Sequence, residues 1–263
     1  MKYLTICIPA YEMGGKGAEY LAYSFDRMLE QTFKDFDVVI SDQSKDEEVK
    51  KMCDAYRGKL DITYSREPTG RRDQCSNFNN GLKYCTGKLI KIMWLDDFFY
   101  HKDALKEIVN TFDLSKDHWL AAACTHTEDC KTFFRPHQPT YDDKTIFHKN
   151  GLGAPSVITI KNDNPLKFDE NMKVWFTDID YYKRYFDAYG MPKIISNINV
   201  VIRIHPNSVS NSSVTEKKKV IEWNYIVKKF NLPHPRWQMF THWAGSMVRR
   251  TKIAAKAILG RKS

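Results

Sequence analysis

Along its first hundred residues the chain alternates two kinds of apolar pattern. Residues 3–8, YLTICI, are a short β-branched run stopped by Pro9, and EYLAYSFDRMLEQT carries apolar residues at helical spacing, so the segment reads strand, loop, helix. DFDVVISDQS repeats the strand and polar turn, KDEEVKKMCDAYRGK reads as a helix charged on one side, and LDITYSRE as a third strand. CSNFNNGLKYCTG predicts a helix closed by Gly87 as a left-handed cap, followed by the strand KLIKIMWL. Strands alternating with helices predict an α/β fold with a mostly parallel central sheet and helices on both faces. In such sheets ligands bind beyond the carboxyl ends of the strands.

Three polar sites fall at that rim. Tyr11 and Glu12 follow the first strand, Asp42 and Ser44 the second, and Asp96 and Asp97 the fourth. An Asp pair at a strand end is commonly a solvated turn, but a turn does not explain why three acidic sites converge on one crevice. The crevice has no glycine-rich phosphate cradle: GxxxxGK[ST] is absent, and MGGKG at 13–17 is not GxGxxG, so Gly14, Gly15 and Gly17 read as a flexible loop. A diphosphate there needs another counter-charge, and Mg²⁺ or Mn²⁺ held by Asp96 and Asp97 would supply it.

Composition changes this picture little. With 263 residues, 42% of them hydrophobic, the chain has enough material for a proper core. The net charge of +9 resembles a nucleic-acid signal until it is located: residues 211–263 hold twelve Lys and Arg against two Glu, leaving 29 basic against 30 acidic residues before them. Six cysteines show no CxxC pair, which fits reduced thiols. No apolar run is long enough to span a bilayer and the first residues lack a signal-peptide core, so a cytoplasmic location is expected.

From about residue 3 to about residue 212 the chain resembles family 2 glycosyltransferases of the GT-A fold. LTICIPAYE resembles the opening VSVIIPTYN, and DVVISDQSKDE resembles IIVVDDGSTDG with Asp42 on the second Asp. CSNFNNGLKYCTGKLIKIMWLDDFF resembles the variant ANWNRGLELAKGKYIKFLFQDD, with Asn77, Asn79 and Gly81 on matched positions. FTDIDYYKRYFDAYG resembles the EDxxxxxR segment through Asp178 and Arg184, and VIRIHPNSVS the late RxHxxSxS segment through His205. Three positions depart from the pattern: Trp94 stands where DxD has its first Asp, Thr177 where ED has its Glu, and Glu12 where an Asn is usual.

The resemblance implies transfer of a sugar from a nucleoside diphosphate sugar (UDP, GDP or dTDP) to a hydroxyl, with inversion and with Mn²⁺ or Mg²⁺ as cofactor. Asp178 is then the catalytic base, with a simple helix cap as the alternative. Asp96, Asp97 and His205 are the metal ligands, without a decision between the two Asp residues. Pro9, Tyr11, Glu12, Asp42, Ser44, Arg71, Asn77 and Asp96 line the nucleotide, with Arg71 and Arg72 able to pair with phosphate, and Trp175, Asp180 and Arg184 face the acceptor, a tie from Arg184 to neighbouring carboxylates being the alternative. Residues 1–115 form the nucleotide half of the domain and 116–212 the acceptor half, where HWLAAACTH reads as a strand and KNGLGAPSVITIKND as a loop and strand shaping the acceptor site.

Residues 213–263 are expected to be a basic helical extension. Phe240, Trp243, Met247, Thr251, Ala254 and Ile258 recur at helical spacing, with Arg249, Lys252 and Lys256 on the opposite face. Such a helix suits the inner, anionic face of a membrane; a helix packed on the domain with a solvated basic back fits the same pattern. The leading expectation is synthesis of a surface polysaccharide or lipid-linked glycan. The alternatives are sugar transfer to modified bases in DNA, with the tail gripping phosphates, and an inactive GT-A module that only binds a nucleotide or glycan.

Overall fold

A computed structural model describes residues 2–208 and 214–232 of the chain. The expected alternation is present: β1 (Leu4–Ala10), α1 (Gly17–Leu29), β2 (Phe36–Asp42), α2 (Glu48–Tyr56), β3 (Ile62–Arg66), α3 (Gln74–Leu82) and β4 (Leu89–Ile92) follow in order. Then come β5 (Phe98–Phe99), α4 (Ala104–Thr111), β6 (Trp119–Thr127), β7 (Phe134–His137), β8 (Ile158–Lys161), α5 (Thr177–Tyr189), β9 (Lys193–Arg203) and α6 (Glu216–Lys229).

The strands form one sheet in the order β3-β2-β1-β4-β8-β6-β9-β5, with β7 paired to β6. β3, β2, β1 and β4 are parallel; β8 is antiparallel to both β4 and β6, which returns β6, and β9 parallel to it, to the direction of the first four. The sheet is therefore mostly parallel. The carboxyl ends of β1, β2, β4, β6 and β9 share one rim.

Both faces are covered, so β1 is buried along its whole length instead of alternating. Leu4, Ile6 and Ile8 pack with Leu21 and Phe25 of α1, Val49 of α2 and Leu105 of α4. Cys7, Ile90 and Ile92 pack on the other face with Phe78 of α3 and Tyr181 and Tyr185 of α5.

Two local expectations are corrected. β1 does not stop at Pro9 but runs on to Ala10, paired with Asp42 of β2. The last β1 residue paired with β4 is Cys7, so Pro9 lacks its N–H where there is no longer a β4 partner to receive it. Gly87 does not cap α3, which ends at Leu82, and it has no left-handed backbone. It is glycine because β1 passes against it: a Cβ there would lie 2.6 Å from the Thr5 nitrogen.

All six cysteines are free, and Cys7, Cys53, Cys75 and Cys124 are buried. The chain divides into two compact units, Met1–Glu222 and Trp223–Ser263, and the sheet with α1 to α5 belongs to the first. The expected Phe240–Ile258 amphipathic helix lies outside the described residues. Among those described, no helix is long and apolar enough to cross a membrane.

Candidate active site

The Asp pair after β4 separates into two environments. Asp96 meets His205, which follows β9, with Oδ2 and Nε2 2.8 Å apart. The contact joins residues 109 apart in the chain because β4 and β9 point the same way and end at the same rim. The Tyr20 ring of α1 lies 4.8 Å from the imidazole. Arg203, two residues earlier, is buried with its guanidinium over the rings of Tyr20, Tyr23 and Phe98, at 4.4, 5.1 and 5.5 Å. Its Nε and Nη2 find no hydrogen-bond acceptor among the described residues.

Asp97 turns into the core instead. It is 2% exposed, accepts from the Ser156 hydroxyl, and accepts from the Arg203 N–H at 3.1 Å. Burial, and then the neighbouring Asp96 charge, push its carboxyl well above the usual range. Lys91 of β4 is fully buried below it, donating to the carbonyls of Ser156 and of Ile158, the latter at 3.3 Å. Burial brings the Lys91 ammonium down to about 7, although Asp97 pulls the other way. For each group, lost hydration outweighs the contacts that favour its charged form.

Between the two carboxylates left open by the sequence, Asp97 is held inside the turn by Ser156 and the Arg203 N–H, and Asp96 with His205 remains at the rim. A carboxylate and an imidazole are donor types that Mn²⁺ accepts, so these residues fit such an ion. No group of three or more His, Cys, Asp or Glu suited to a metal occurs among the described residues. An ion there would complete its shell with water and phosphate oxygens.

Several other expected nucleotide contacts are occupied by the protein itself. Asp42 is fully buried: Oδ1 accepts from the Ser44 N–H and hydroxyl at 2.8 and 2.5 Å, and Oδ2 from Tyr64 and Arg66 at 2.7 and 3.1 Å. Asn77 is also buried, donating to the Ala10 carbonyl at 2.9 Å and accepting from Ser41 at 2.7 Å, which staples the ends of β1 and β2. Asn79 anchors the 168–170 loop, donating to the Phe168 carbonyl and accepting its N–H, each at 2.9 Å. Gly81 lets α3 approach the sheet, since a Cβ would come within 2.9 Å of the Cys7 sulfur. The matched Asn, Asn and Gly thus build the wall of the crevice, with Asn77 joining β1 to β2. Pro9 is buried in β1. Arg71 is held by Asp73 at 3.1 Å and by Glu170 at 2.7 Å.

Tyr11 and Glu12 stay at the rim. The Tyr11 hydroxyl donates to the Asn207 carbonyl at 3.2 Å, and burial, then the charges of Asp96 and Glu12, raise its pKa. Glu12 pairs with Arg72 and accepts from the Lys45 N–H at 3.3 Å.

Asp178 stands at the head of α5, as its position in the sequence predicts. Its Oδ2 accepts from the Asn150 side chain at 2.7 Å, and its Oδ1 from the Ile179 N–H at 2.9 Å. Protein surrounds the half-buried carboxylate, and burial pushes it up to about 6 against the pull of those donors. Asn150 also donates to the Gly153 carbonyl at 3.0 Å, which Tyr182 meets from α5 at the same distance. The 150–156 loop therefore ties Asp178, through Asn150, to the turn of Asp96 and Asp97, through Ser156. Asn150 and Ser156 lie in the KNGLGAPSVITIKND segment expected to shape the acceptor site, but neither was singled out there.

The expected acceptor residues divide. Asp180 has no exposed surface and is bound to Arg184 Nε at 2.8 Å, while Arg184 Nη2 donates to the Lys167 carbonyl at 2.9 Å. This pair fastens α5 to the preceding loop. Trp175 is half-buried, its ring 4.2 Å from the Lys219 ammonium. A separate cavity of about 770 Å³ opens at the amino ends of β2 and β3, lined by residues including Lys2, Lys34, Arg57 and Lys59. It holds none of the groups at the rim.

Comparison with known proteins agrees with this architecture. Residues 5–178 match the sequence model of glycosyl transferase family 2. An uncharacterised glycosyltransferase of Rickettsia prowazekii (strain Madrid E) is 24% identical over 249 residues, covering 86% of this chain and 72% of the relative. Among solved structures, S. aureus TarS 1–349 in complex with UDP-GlcNAc superposes with a TM-score of 0.67 at 18% identity, over 91% of this chain and 69% of that one. The mannosyltransferase PcManGT from Pyrobaculum calidifontis, in complex with GDP-Man and Mn²⁺, gives 0.57 at 15% identity, over 99% and 79%. At such identities the structural likeness speaks to the fold, which is GT-A; with the family match over residues 5–178, the chain belongs to glycosyl transferase family 2.

Proposed function

We propose that the chain is an inverting glycosyltransferase that moves a sugar from a nucleoside diphosphate sugar to a hydroxyl, with Asp178 as general base. The observation that carries the reading is the state of Asp178: a half-buried carboxylate at a helix entry, held from two sides, with its pKa raised to about 6. A base works best with a pKa close to the working pH, and this carboxylate is ionised at neutral pH while more basic than an ordinary Asp. It takes the proton of the acceptor hydroxyl as that oxygen attacks the anomeric carbon, and the diphosphate departs from the opposite face.

The donor is read as a nucleoside diphosphate sugar because the similar folds of TarS and PcManGT were solved with UDP-GlcNAc and GDP-Man. Tyr11, Glu12 and Arg72 stand at the rim where the nucleotide would lie. Asp96 and His205 would hold a divalent cation, Mn²⁺ or Mg²⁺, which when bound neutralises charge on the leaving diphosphate. We assign the acceptor to a glycan or lipid-linked glycan, with Trp175 as a stacking surface for a sugar ring.

The reading is tested by thermal unfolding with UDP-, GDP- and dTDP-sugars, each with and without Mn²⁺. A ligand that binds only the folded state raises its stability by mass action. Stabilisation by one nucleotide sugar that requires Mn²⁺ is expected. No response to any of them, with or without the ion, contradicts the reading.

A further inference from the structure

The loop that leads into α5 is held in a way the reading above does not use. Four consecutive backbone N–H groups donate to one carboxylate, that of Glu222 in α6. Its Oε1 accepts from Lys173 and Val174 at 2.7 and 2.9 Å, and its Oε2 from Trp175 and Phe176 at 2.8 and 3.0 Å. Glu222 is 5% exposed, so its carboxylate is buried against this loop.

These four amides lie outside helix and strand, so no neighbouring turn or strand supplies their acceptor, and the Glu222 carboxylate does. The residues are also the approach to a helix. α5 begins at Thr177, and a carboxylate before its first turn meets both orphan N–H groups and the positive end of the helix dipole. Charge-assisted bonds of this kind are the stronger ones. The last clamped N–H, that of Phe176, is two residues before Asp178. Fixing 173–176 therefore fixes where α5 starts and where its first carboxylate stands.

We propose that Glu222 is a positioning residue for sugar transfer: its carboxylate clamps residues 173–176 and thereby sets the place of Asp178 at the head of α5. The proposal rests on the reading of Asp178 as the base. Family membership does not supply it, because the matched region ends at residue 178.

The clamp also has an electrostatic side. The ionisable groups facing Asp178 are Glu222 from α6 and Tyr182 from α5 itself, while Asn150 faces it from the loop as a neutral donor. Glu222 adds a small push to the rise that burial gives the Asp178 carboxyl. Removing that charge lowers the Asp178 pKa, as added hydration of the carboxyl also would, so the shift is read together with the exchange of the clamped amides.

The test compares the unmodified chain with Glu222→Gln by amide hydrogen exchange and by carbon-detected NMR titration of the Asp178 carboxyl. The expected result is slow exchange of the 173–176 amides in the unmodified chain and exchange at least about tenfold faster in the variant, with β1 protection unchanged. The Asp178 midpoint should move acidward from about 6. A folded variant whose four amides and Asp178 midpoint match the parent overturns the proposal. If Glu222→Gln does not fold, the unmodified chain decides: slow exchange of these amides supports the clamp, and rates of an unstructured peptide overturn it. Asp178→Asn, assayed in parallel, keeps the two levels apart. Full turnover in that variant removes the base and the proposal with it, whereas lost turnover beside a Glu222→Gln indistinguishable from the parent overturns the clamp alone.

Discussion

The Asn150 side-chain amide donates to the Asp178 carboxylate at 2.7 Å, from a loop whose Ser156 also holds Asp97. One short segment thus supports the head of α5 and the turn after β4. Asn150 in turn accepts the N–H groups of Leu152 and Gly153, each at 3.1 Å, so its orientation is set by the loop it belongs to.

Asn150→Ala should slow transfer about tenfold or more, because a misplaced base loses much of its effect. The bond from Asn150 holds the Asp178 pKa down. Without it, the acidic limb of the pH–rate profile should move to higher pH, and a limb that stays in place contradicts this role.

Asp96 and Asp97 should give opposite phenotypes. Asp96→Ala should lose Mn²⁺-dependent nucleotide binding, and in stability only what its contact with His205 contributes. Asp97→Ala strands the Ser156 hydroxyl and the buried Arg203 N–H, at a cost of about 1–3 kcal/mol for each unsatisfied group. Thermal unfolding and nucleotide titration of both variants check this; equal loss of metal-dependent binding with equal stability would return Asp97 to the metal.

Asp178→Asn should alter how stability depends on pH. Folding raises this carboxyl from the usual 3.8 to about 6, so between those values the folded chain keeps a proton that the unfolded chain has lost. Stability therefore falls as pH rises through that window, and the cost persists above it. The variant is free of that cost. Allowing for solvent screening and for poorer hydrogen bonding by Asn, it should be more stable than the parent above pH 6 by on the order of 1 kcal/mol. Below pH 4 the advantage should vanish. Denaturant unfolding at both pH values measures the difference.

Gly87→Ala should destabilise by about 1–3 kcal/mol, the usual cost of overpacking a core. The added methyl meets the backbone of Leu4 and Thr5 rather than a side chain that could swing away. An unchanged denaturation midpoint would contradict the close approach.

The first four strands were legible because each is a compact apolar run between polar turns, and a parallel sheet covered on both faces gives that pattern. β5 was not, since two residues carry no period and only pairing with Val200 and Val201 of β9 makes them a strand. β9 itself is interrupted by Ser196, Asn197 and Asn199, which blur its alternation. At the site, Asp96, Asp178 and His205 could be picked out because they sit in motifs resembling a known family. The division between Asp96 and Asp97 was hidden, because it depends on contacts with Ser156 and the Arg203 N–H, both distant in the chain. Asn77 shows the converse: its place in a motif was visible, but only the fold reveals that it joins β1 to β2.

The central claim, that Asp178 is the base, is tested most directly by measuring sugar transfer and donor binding on the same preparation of Asp178→Asn. The account predicts donor affinity close to that of the parent, since in this reading Asp178 acts on the acceptor hydroxyl and not on the nucleotide. It predicts transfer slower by at least about a hundredfold, the usual scale for a lost general base. Turnover at the parental rate would contradict it.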